Sequence, residues 1–254
     1  EDISAPRCFE IEHRLKTELD IPVMHDDQHG TAVVVLAALI NALKITKKTK
    51  NKTKIVINGA GAAGTGIAEL LIAYGFTKII LCDSQGVIYN GRENLSNAKQ
   101  TLAEITNRAC LTGLNTKGCV IGDLKNALRG TDVFIGVSAA NIVNAEMVKT
   151  MNASSIIFAM ANPVPEIMPE IARQGGASII ATGRSDFPNQ INNVIAFPGI
   201  FRGALDNKVK KITTKMLLRA AKNLALCIKK PNANNLIPSV FDKSVVPAVA
   251  KAIK

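Results

Sequence analysis

The chain has 254 residues, of which 47% are hydrophobic and 20% charged, and it contains no tryptophan, two tyrosines and eight phenylalanines. This composition excludes a disordered, collagen-like or coiled-coil chain and suffices for a substantial core, and so few aromatic rings argue against a protein that stacks nucleobases. The net charge of +11 (31 basic, 20 acidic residues) includes six lysines within Lys44–Lys54 and more between Lys208 and Lys230. A basic excess admits a polyanion partner, but no helix-turn-helix, zinc-finger or RNP pattern accompanies it, and a solvated loop with outer helix faces is the simpler account. The five cysteines, Cys8, Cys82, Cys110, Cys119 and Cys227, include no CxxC pair and are expected as thiols in a reducing compartment, neither a disulfide framework nor a zinc site. The charged start EDISAPRCFEIEHRL is unlike a secretory signal, and the longest apolar stretch, Ala32–Ile40, has nine residues where a membrane span needs about 20.

In chain order, an amphipathic segment over 5–19 precedes a short PVM strand and an apolar helix from about Thr31 to Leu43. Short β-rich runs then alternate with helical patterns. IVING (55–59) leads to AAGTGIAELLIAYG, KIILCD (78–83) to SNAKQTLAEITNR, DVFIGVS (132–138) to NAEMVKTM, and SIIFAMAN (155–162) to PEIMPEIARQG, with SIIATG (178–183) closing the series. Continuous apolar strands are those of a parallel sheet covered on both faces, and their alternation with helices predicts right-handed crossovers in an open α/β sheet. Three further helical patterns follow, near 199–206, 212–228 and 243–253, with a loop at 231–239. The expected fold is therefore α/β: a doubly wound, Rossmann-like, mostly parallel sheet flanked by helices, with extra N- and C-terminal helices.

Three sets of residues can carry chemistry. Gly59-Ala60-Gly61-Ala62-Ala63-Gly64 follows a strand and opens a helix, the context of a dinucleotide fingerprint. Gly59 serves the tight turn, Gly61 the approach of the pyrophosphate and Gly64 close helix–strand packing. Asp83, nineteen residues past Gly64 at the end of the next strand, stands where an acid takes a ribose 2′-OH, and Ser138 follows a strand where it can touch the cofactor. The second set is acidic: Glu1 and Asp2 at the start, Asp26 and Asp27 in HDDQHGTA. Carboxylates from two segments suit a hard divalent cation, but Asp26 and Asp27 equally suit caps for the following helix, and the flanking His25 and His29 read as packing or capping. Third, Asn162 and Asn192-Asn193 fall near the ends of strands, where ligands of open sheets bind, although Asn-Pro is also plain turn chemistry.

These motifs in this order resemble the malic enzymes, in particular the short bacterial type. EDISAPRCFEIE, IPVMHDDQHGTA, GAGAAGTGIAELL, GVSAANIV, FAMANPVPEI, GRSDFPNQINNVIAFPGIFRGALD and SVVPAVA run from the first residue almost to the last. The resemblance implies oxidative decarboxylation of L-malate to pyruvate and CO₂ with NAD (NADP also possible) and Mg²⁺ or Mn²⁺. It carries the metal-ligand role onto Glu1, Asp2 and Asp27, with Asp26 beside them, the cofactor role onto Gly59, Gly61, Gly64 and Asp83, and the malate and nicotinamide side onto Asn162 and Asn193. The whole of 1–254 is then an NAD(P)-binding domain, with 1–30 and about 198–254 as helical segments on the metal and substrate side. The family's proton-transferring tyrosine and lysine belong to an N-terminal domain that this sequence lacks, and Tyr74 and Tyr89 match neither, so the chain alone is expected to be inactive. A cytoplasmic homodimer without membrane or nucleic-acid partner is also implied. The competing readings are another small-acid dehydrogenase or malolactic-type domain, and a non-catalytic module that binds dinucleotides or polyanions.

Overall fold

The computed structural model describes residues 2–254. Its helices are α1 (Arg7–Glu18), α2 (Asp26–Thr46), α3 (Ala62–Tyr74), α4 (Asn97–Ile105), α5 (Leu124–Leu128), α6 (Ala145–Lys149), α7 (Pro169–Gln174), α8 (Phe197–Asp206), α9 (Thr214–Leu226) and α10 (Val245–Ala250). Its strands are β1 (Lys54–Asn58), β2 (Lys78–Asp83), β3 (Gly86–Val87), β4 (Val133–Gly136), β5 (Ile156–Ala159) and β6 (Ile179–Thr182). The chain forms two compact units. One comprises the chain up to Ile45 with Gly61–Tyr74 and Asn189–Lys254; the other comprises Thr46–Ala60 and Gly75–Pro188.

The second unit holds all six strands, in the order β3-β2-β1-β4-β5-β6. Every pairing is parallel except β2 with β3, so the expected mostly parallel sheet is present with an antiparallel edge. The strand order reverses direction between β1 and β4, the switch point at which open sheets bind ligands. Each strand is apolar on both faces. Val56, Ile80, Phe134 and Ile157 pack with Leu128 of α5, Val148 of α6 and Ala172 of α7, while Ile55, Ile57, Leu81, Val133, Ile135 and Phe158 on the opposite face are equally buried. Burial on both sides is what makes these strands continuous apolar runs.

The first unit is helical. α2 has 21 residues, and an 18-residue stretch of it has a mean hydropathy of 1.5, a length and composition that also fit a membrane-crossing helix. Here Val33–Leu39 are fully buried, and Asn41 donates to the carbonyls of Ala225 and Leu236, both at 2.9 Å. α8 packs on α10 where Gly199 and Gly203 leave room: a Cβ on Gly203 would lie 2.9 Å from the Ala250 Cα. The same logic applies to Gly66, where a Cβ would strike the Gln28 carbonyl of α2. A close helix approach in the glycine-rich segment therefore falls at Gly66, one turn beyond the fingerprint's first glycines.

Several expectations need correction. Pro22–Met24 form no strand. α2 begins at Asp26, five residues before the expected start, so Asp26 and Asp27 occupy its first turn and are not its N-cap. There the positive end of the helix dipole favours them. α5 was not foreseen; Asp123 nucleates it by accepting the Asn126 N–H at 2.8 Å while the Asn126 side chain accepts the Asp123 N–H at 3.2 Å, a reciprocal cap that supports a very short helix. Cys110 and Cys119 form a disulfide, leaving Cys8, Cys82 and Cys227 as thiols. Within the lysine run, Lys48 is not a solvated side chain: it pairs with Asp132 at 2.8 Å and donates to the Ala153 carbonyl.

Candidate functional site

In the helical unit, the acids of HDDQHGTA meet an asparagine 167 residues away. Asn193 heads a 3₁₀ turn, Asn193–Ile195, whose Val194 N–H is accepted by the Asn192 and Asn193 side-chain carbonyls at 2.9 and 3.0 Å. That fixes the Asn193 amide so that its Nδ2 donates to Asp26 Oδ2 at 2.6 Å and Asp27 Oδ1 at 3.3 Å. Gly30, one turn along α2, makes the approach possible, because a Cβ there would sit 3.2 Å from the Asn193 Cβ. His25, Asp26 and Asp27 can each present a ligand atom within 4.8 Å of the others.

The electrostatics of this cluster are unbalanced. Burial, reinforced by the neighbouring charge of Asp26, raises the pKa of Asp27. No lysine or arginine pairs with Asp26 or Asp27 among the described residues, and both ring nitrogens of the buried His25 lack a hydrogen-bond partner. Oxygen donors crowded without a lysine or arginine partner among the described residues fit a hard divalent cation. Asp2 is exposed, with φ 55°, outside that three-residue group, although its charge contributes to the raised pKa of Asp27. Glu1 lies outside the described residues.

Beneath the cluster, Glu12 was passed over in the sequence. It is buried, accepts the His25 N–H at 2.9 Å and pairs with His29 at 2.9 Å and Lys16 at 2.9 Å. Burial alone would raise its pKa; His29, the His25 N–H and Lys16 outweigh burial and bring it down to about 2. His29 is thus a structural partner, while His25, read as packing, keeps both nitrogens unengaged. Only the ExxxK spacing of Glu12 and Lys16 on α1 signalled any of this.

The remaining sequence-predicted residues are distributed along the glycine segment and the carboxyl edge of the sheet. Gly59 has φ +116°, and a Cβ on it would clash with the Val137 carbonyl. Gly61, by contrast, would project a Cβ into open space, with no atom within 4 Å. Ala62, Ala63 and Gly64 form the first turn of α3, which contains no acid. An uncovered glycine preceding free N–H groups at a helix start fits a pyrophosphate.

Asp83 ends β2 with its side chain almost wholly buried. It accepts from Arg92 at 3.0 and 2.6 Å, from Lys99 at 2.6 Å and from the Gln85 N–H at 3.0 Å. Burial opposes its ionisation, but Arg92, Lys99 and the Gln85 N–H dominate and hold its pKa at about 2. Ser138 accepts from Asn58 Nδ2 at 2.7 Å, and its backbone N–H donates to Glu166 at 2.8 Å. Glu166 is completely buried, lies against Gly136, and also accepts the Ala161 N–H at 3.0 Å. It thereby fixes the loops that leave β4 and β5. Asn162 follows Ala161 directly, exposed, at a cis bond to Pro163. Arg92 and Lys99 lie outside the motifs that mark the site, while Asn58 and Glu166 stand within the runs IVING and FAMANPVPEI, where side-chain identity alone does not single them out.

Residues 28–253 match the family model described as malic enzyme, NAD binding domain. The chain is 53% identical to the bifunctional malic/malolactic enzyme of Bacillus subtilis, matching 100% of this chain and 60% of that protein. It is 44% identical to the NADP-dependent malic enzyme of Rhizobium meliloti over 100% of this chain and 34% of that protein. The crystal structure of the NAD-dependent malic enzyme of Thermotoga maritima superposes with a TM-score of 0.91 at 46% identity, over 100% of this chain and 65% of that chain. The chain thus spans between about one third and three fifths of the length of these curated relatives. A match over nearly every residue, together with the parallel sheet, the open glycine turn and the acid–asparagine cluster, places the chain in the malic enzyme family, where it corresponds to the NAD-binding domain.

Proposed function

We propose that this chain supplies the cofactor- and metal-binding part for oxidative decarboxylation of L-malate to pyruvate and CO₂. The observation that carries the reading is the Asn193 amide held against Asp26 and Asp27 at 2.6 and 3.3 Å, an acidic cluster with no lysine or arginine partner among the described residues, in a chain of the dinucleotide-binding type. In this reading Asp27, with Glu1 and Asp2, holds Mg²⁺ or Mn²⁺, and Asp26 and Asn193 orient it from behind. A divalent ion held by these residues would supply Lewis-acid polarisation of the substrate oxygen and stabilisation of the negative charge that decarboxylation develops. The Gly59–Gly64 turn receives the pyrophosphate, Ser138 adjoins the cofactor, and Asn162 and Asn193 contact malate and nicotinamide. The segments 1–30 and 198–254 then belong to the metal and substrate side.

For the cofactor, we propose NAD with NADP also accepted. Asp83 offers an acceptor for a ribose 2′-OH, while Arg92 and Lys99 on the same carboxylate neutralise it and would soften its repulsion of a 2′-phosphate. Arg92→Ala should therefore weaken NADP⁺ more than NAD⁺; an equal effect on both would remove Arg92 from the choice.

No residue here takes the role of the proton-transferring pair. Tyr74, raised in pKa by burial, lies under Lys222 at 5.7 Å. The isolated chain should bind dinucleotide but oxidise malate at least about 10²–10⁴-fold more slowly than a complete enzyme. Asp27→Asn in a protein containing the whole catalytic apparatus should lower Mn²⁺ affinity by about tenfold or more and leave NAD⁺ affinity unchanged. Unaltered Mn²⁺ affinity would remove Asp27 from the metal site. The name of the Bacillus subtilis relative favours testing a second outcome, malolactic chemistry; release of lactate instead of pyruvate would establish it. We further propose a cytoplasmic homodimer.

A further inference from the structure

A cavity of about 480 Å³ opens in the sheet unit among the amino ends of β1 and β2. Lys54 and Lys78 are the first residues of these strands and stand opposite each other in register. Arg108, which begins the 3₁₀ turn Arg108–Thr112, Lys117 in the loop closed by the Cys110–Cys119 bond, and Arg129 at the end of α5 complete the charged lining. No acidic residue lines the cavity. Among the described residues none of the five cations takes part in an ion pair. Some cations elsewhere in the same unit are matched, Lys48 to Asp132 and Arg92 and Lys99 to Asp83, whereas here five unpaired ones gather around a single concavity. Five unmatched positive charges around one concavity repel one another and focus a positive potential into it.

The cavity is separate from the dinucleotide turn. Lys54 and Asn58 are the two ends of β1, about 13 Å apart at 3.3 Å per residue, and Gly59 and Asp83 belong to the carboxyl edge. The volume falls in the range of small-molecule sites, about 300–1,000 Å³. Ile79, Val120 and Ala127 give it an apolar wall. There is no aromatic platform in the lining on which a nucleic-acid base would stack.

We propose that this amino-edge cavity is a binding site for a small polyphosphate anion, distinct from the site that holds the dinucleotide pyrophosphate. The chemistry is that of a phosphate chain carrying three or four charges, either free or attached to a nucleoside whose body rests on the apolar wall.

The test uses the 254-residue chain saturated with NAD⁺, so that the glycine turn is occupied, and titrates inorganic tripolyphosphate by calorimetry at moderate salt. Lys78→Glu/Arg129→Glu should weaken tripolyphosphate by about tenfold or more, Lys78→Gln/Arg129→Gln by less, and neither should change NAD⁺ affinity. Lys211→Glu/Lys215→Glu, which alters net charge equally at exposed positions of the other unit, should bind as the parent does. An ATP titration then separates the two sources: tighter binding than tripolyphosphate assigns the wall to a nucleoside, equal binding assigns the site to the phosphate chain alone. Tripolyphosphate binding that survives the Lys78/Arg129 reversal, or falls equally in the Lys211/Lys215 control, overturns the proposal. So does tighter, variant-sensitive binding of a single-stranded RNA oligomer, which would make the surface a nucleic-acid contact.

Discussion

The two units treat buried acids in opposite ways. In the sheet unit, Asp83 meets Arg92 and Lys99 and is held at a pKa of about 2. In the helical unit, burial and the adjacent Asp26 raise Asp27, which among the described residues meets an asparagine amide and a histidine ring 3.9 Å away but no lysine or arginine. Both are aspartates at the end of a β-strand or the start of a helix, and neither sequence context distinguishes them. The difference teaches that an acid completed by lysine or arginine contributes to stability, whereas an acid left without them among the described residues carries an electrostatic cost, which the proposed metal site would relieve. The helical unit also contains its own control: Glu12, a few residues from the cluster in space, is completed by His29 and Lys16.

The sharpest way to break this contrast is to remove acids and follow stability in parallel with ligand binding. The largest loss should come from Glu166→Ala, which strands the Ser138 and Ala161 N–H groups in a buried place. We expect about 3 kcal/mol by denaturant unfolding; a loss below about 1 kcal/mol would mean that Glu166 is not what fixes the two loops.

Asp83→Asn should cost about 2 kcal/mol at pH 7, because Arg92 and Lys99 lose their shared partner. Asp83 and Glu12 both have folded pKa values near 2, below their ordinary values of 3.8 and 4.5. Their contribution is therefore complete above about pH 4.5 and is lost as the pH falls toward 2. Chemical unfolding across that window should show stability falling, and the fall should be shallower in Asp83→Asn. An unchanged slope would contradict the pairing.

The bond between Cys110 and Cys119 makes a comparable prediction for the edge of the sheet unit. Non-reduced, denatured chain should titrate three thiols, and Cys110→Ser/Cys119→Ser should lower stability by about 2–3 kcal/mol under oxidising conditions. Five titratable thiols would show that the pair stays reduced. Smaller effects are expected from helix caps, and these should not differ between units. Thr213 caps α9 by accepting the Met216 N–H at 3.3 Å, and Asp123 caps α5 at 2.8 Å. Thr213→Ala and Asp123→Ala should each cost about 1 kcal/mol in thermal unfolding. The smallest change belongs to Asp27→Asn without metal: stability equal to the parent or higher by a few tenths of a kcal/mol, since repulsion from Asp26 is relieved. A loss of 2 kcal/mol there would place Asp27 with the structural acids and dissolve the comparison.

Local order in the sequence determined much of the fold. The five parallel strands are legible as apolar runs because burial on both faces demands them, and the glycine turn is legible because a residue at φ +116° against the Val137 carbonyl admits no side chain. The resemblance of the HDDQHGTA and NQINNVIAFPGIFRGALD blocks marked Asp26, Asp27 and Asn193 together. Their contact, however, spans 167 residues, and no periodicity encodes which distant amide a carboxylate will meet. Helix starts were misplaced for a related reason: α2 begins at Asp26 because acids favour a first turn as well as a cap, and spacing cannot separate the two. Cys110 and Cys119, nine residues apart, looked like two more thiols until the loop between them folded back. The partners of Asp83 and the unpartnered state of His25 likewise depend on packing. Sequence specifies what each side chain can do, but only the tertiary structure decides which counter-charges arrive beside it, because that is settled by contacts between segments that are remote along the chain.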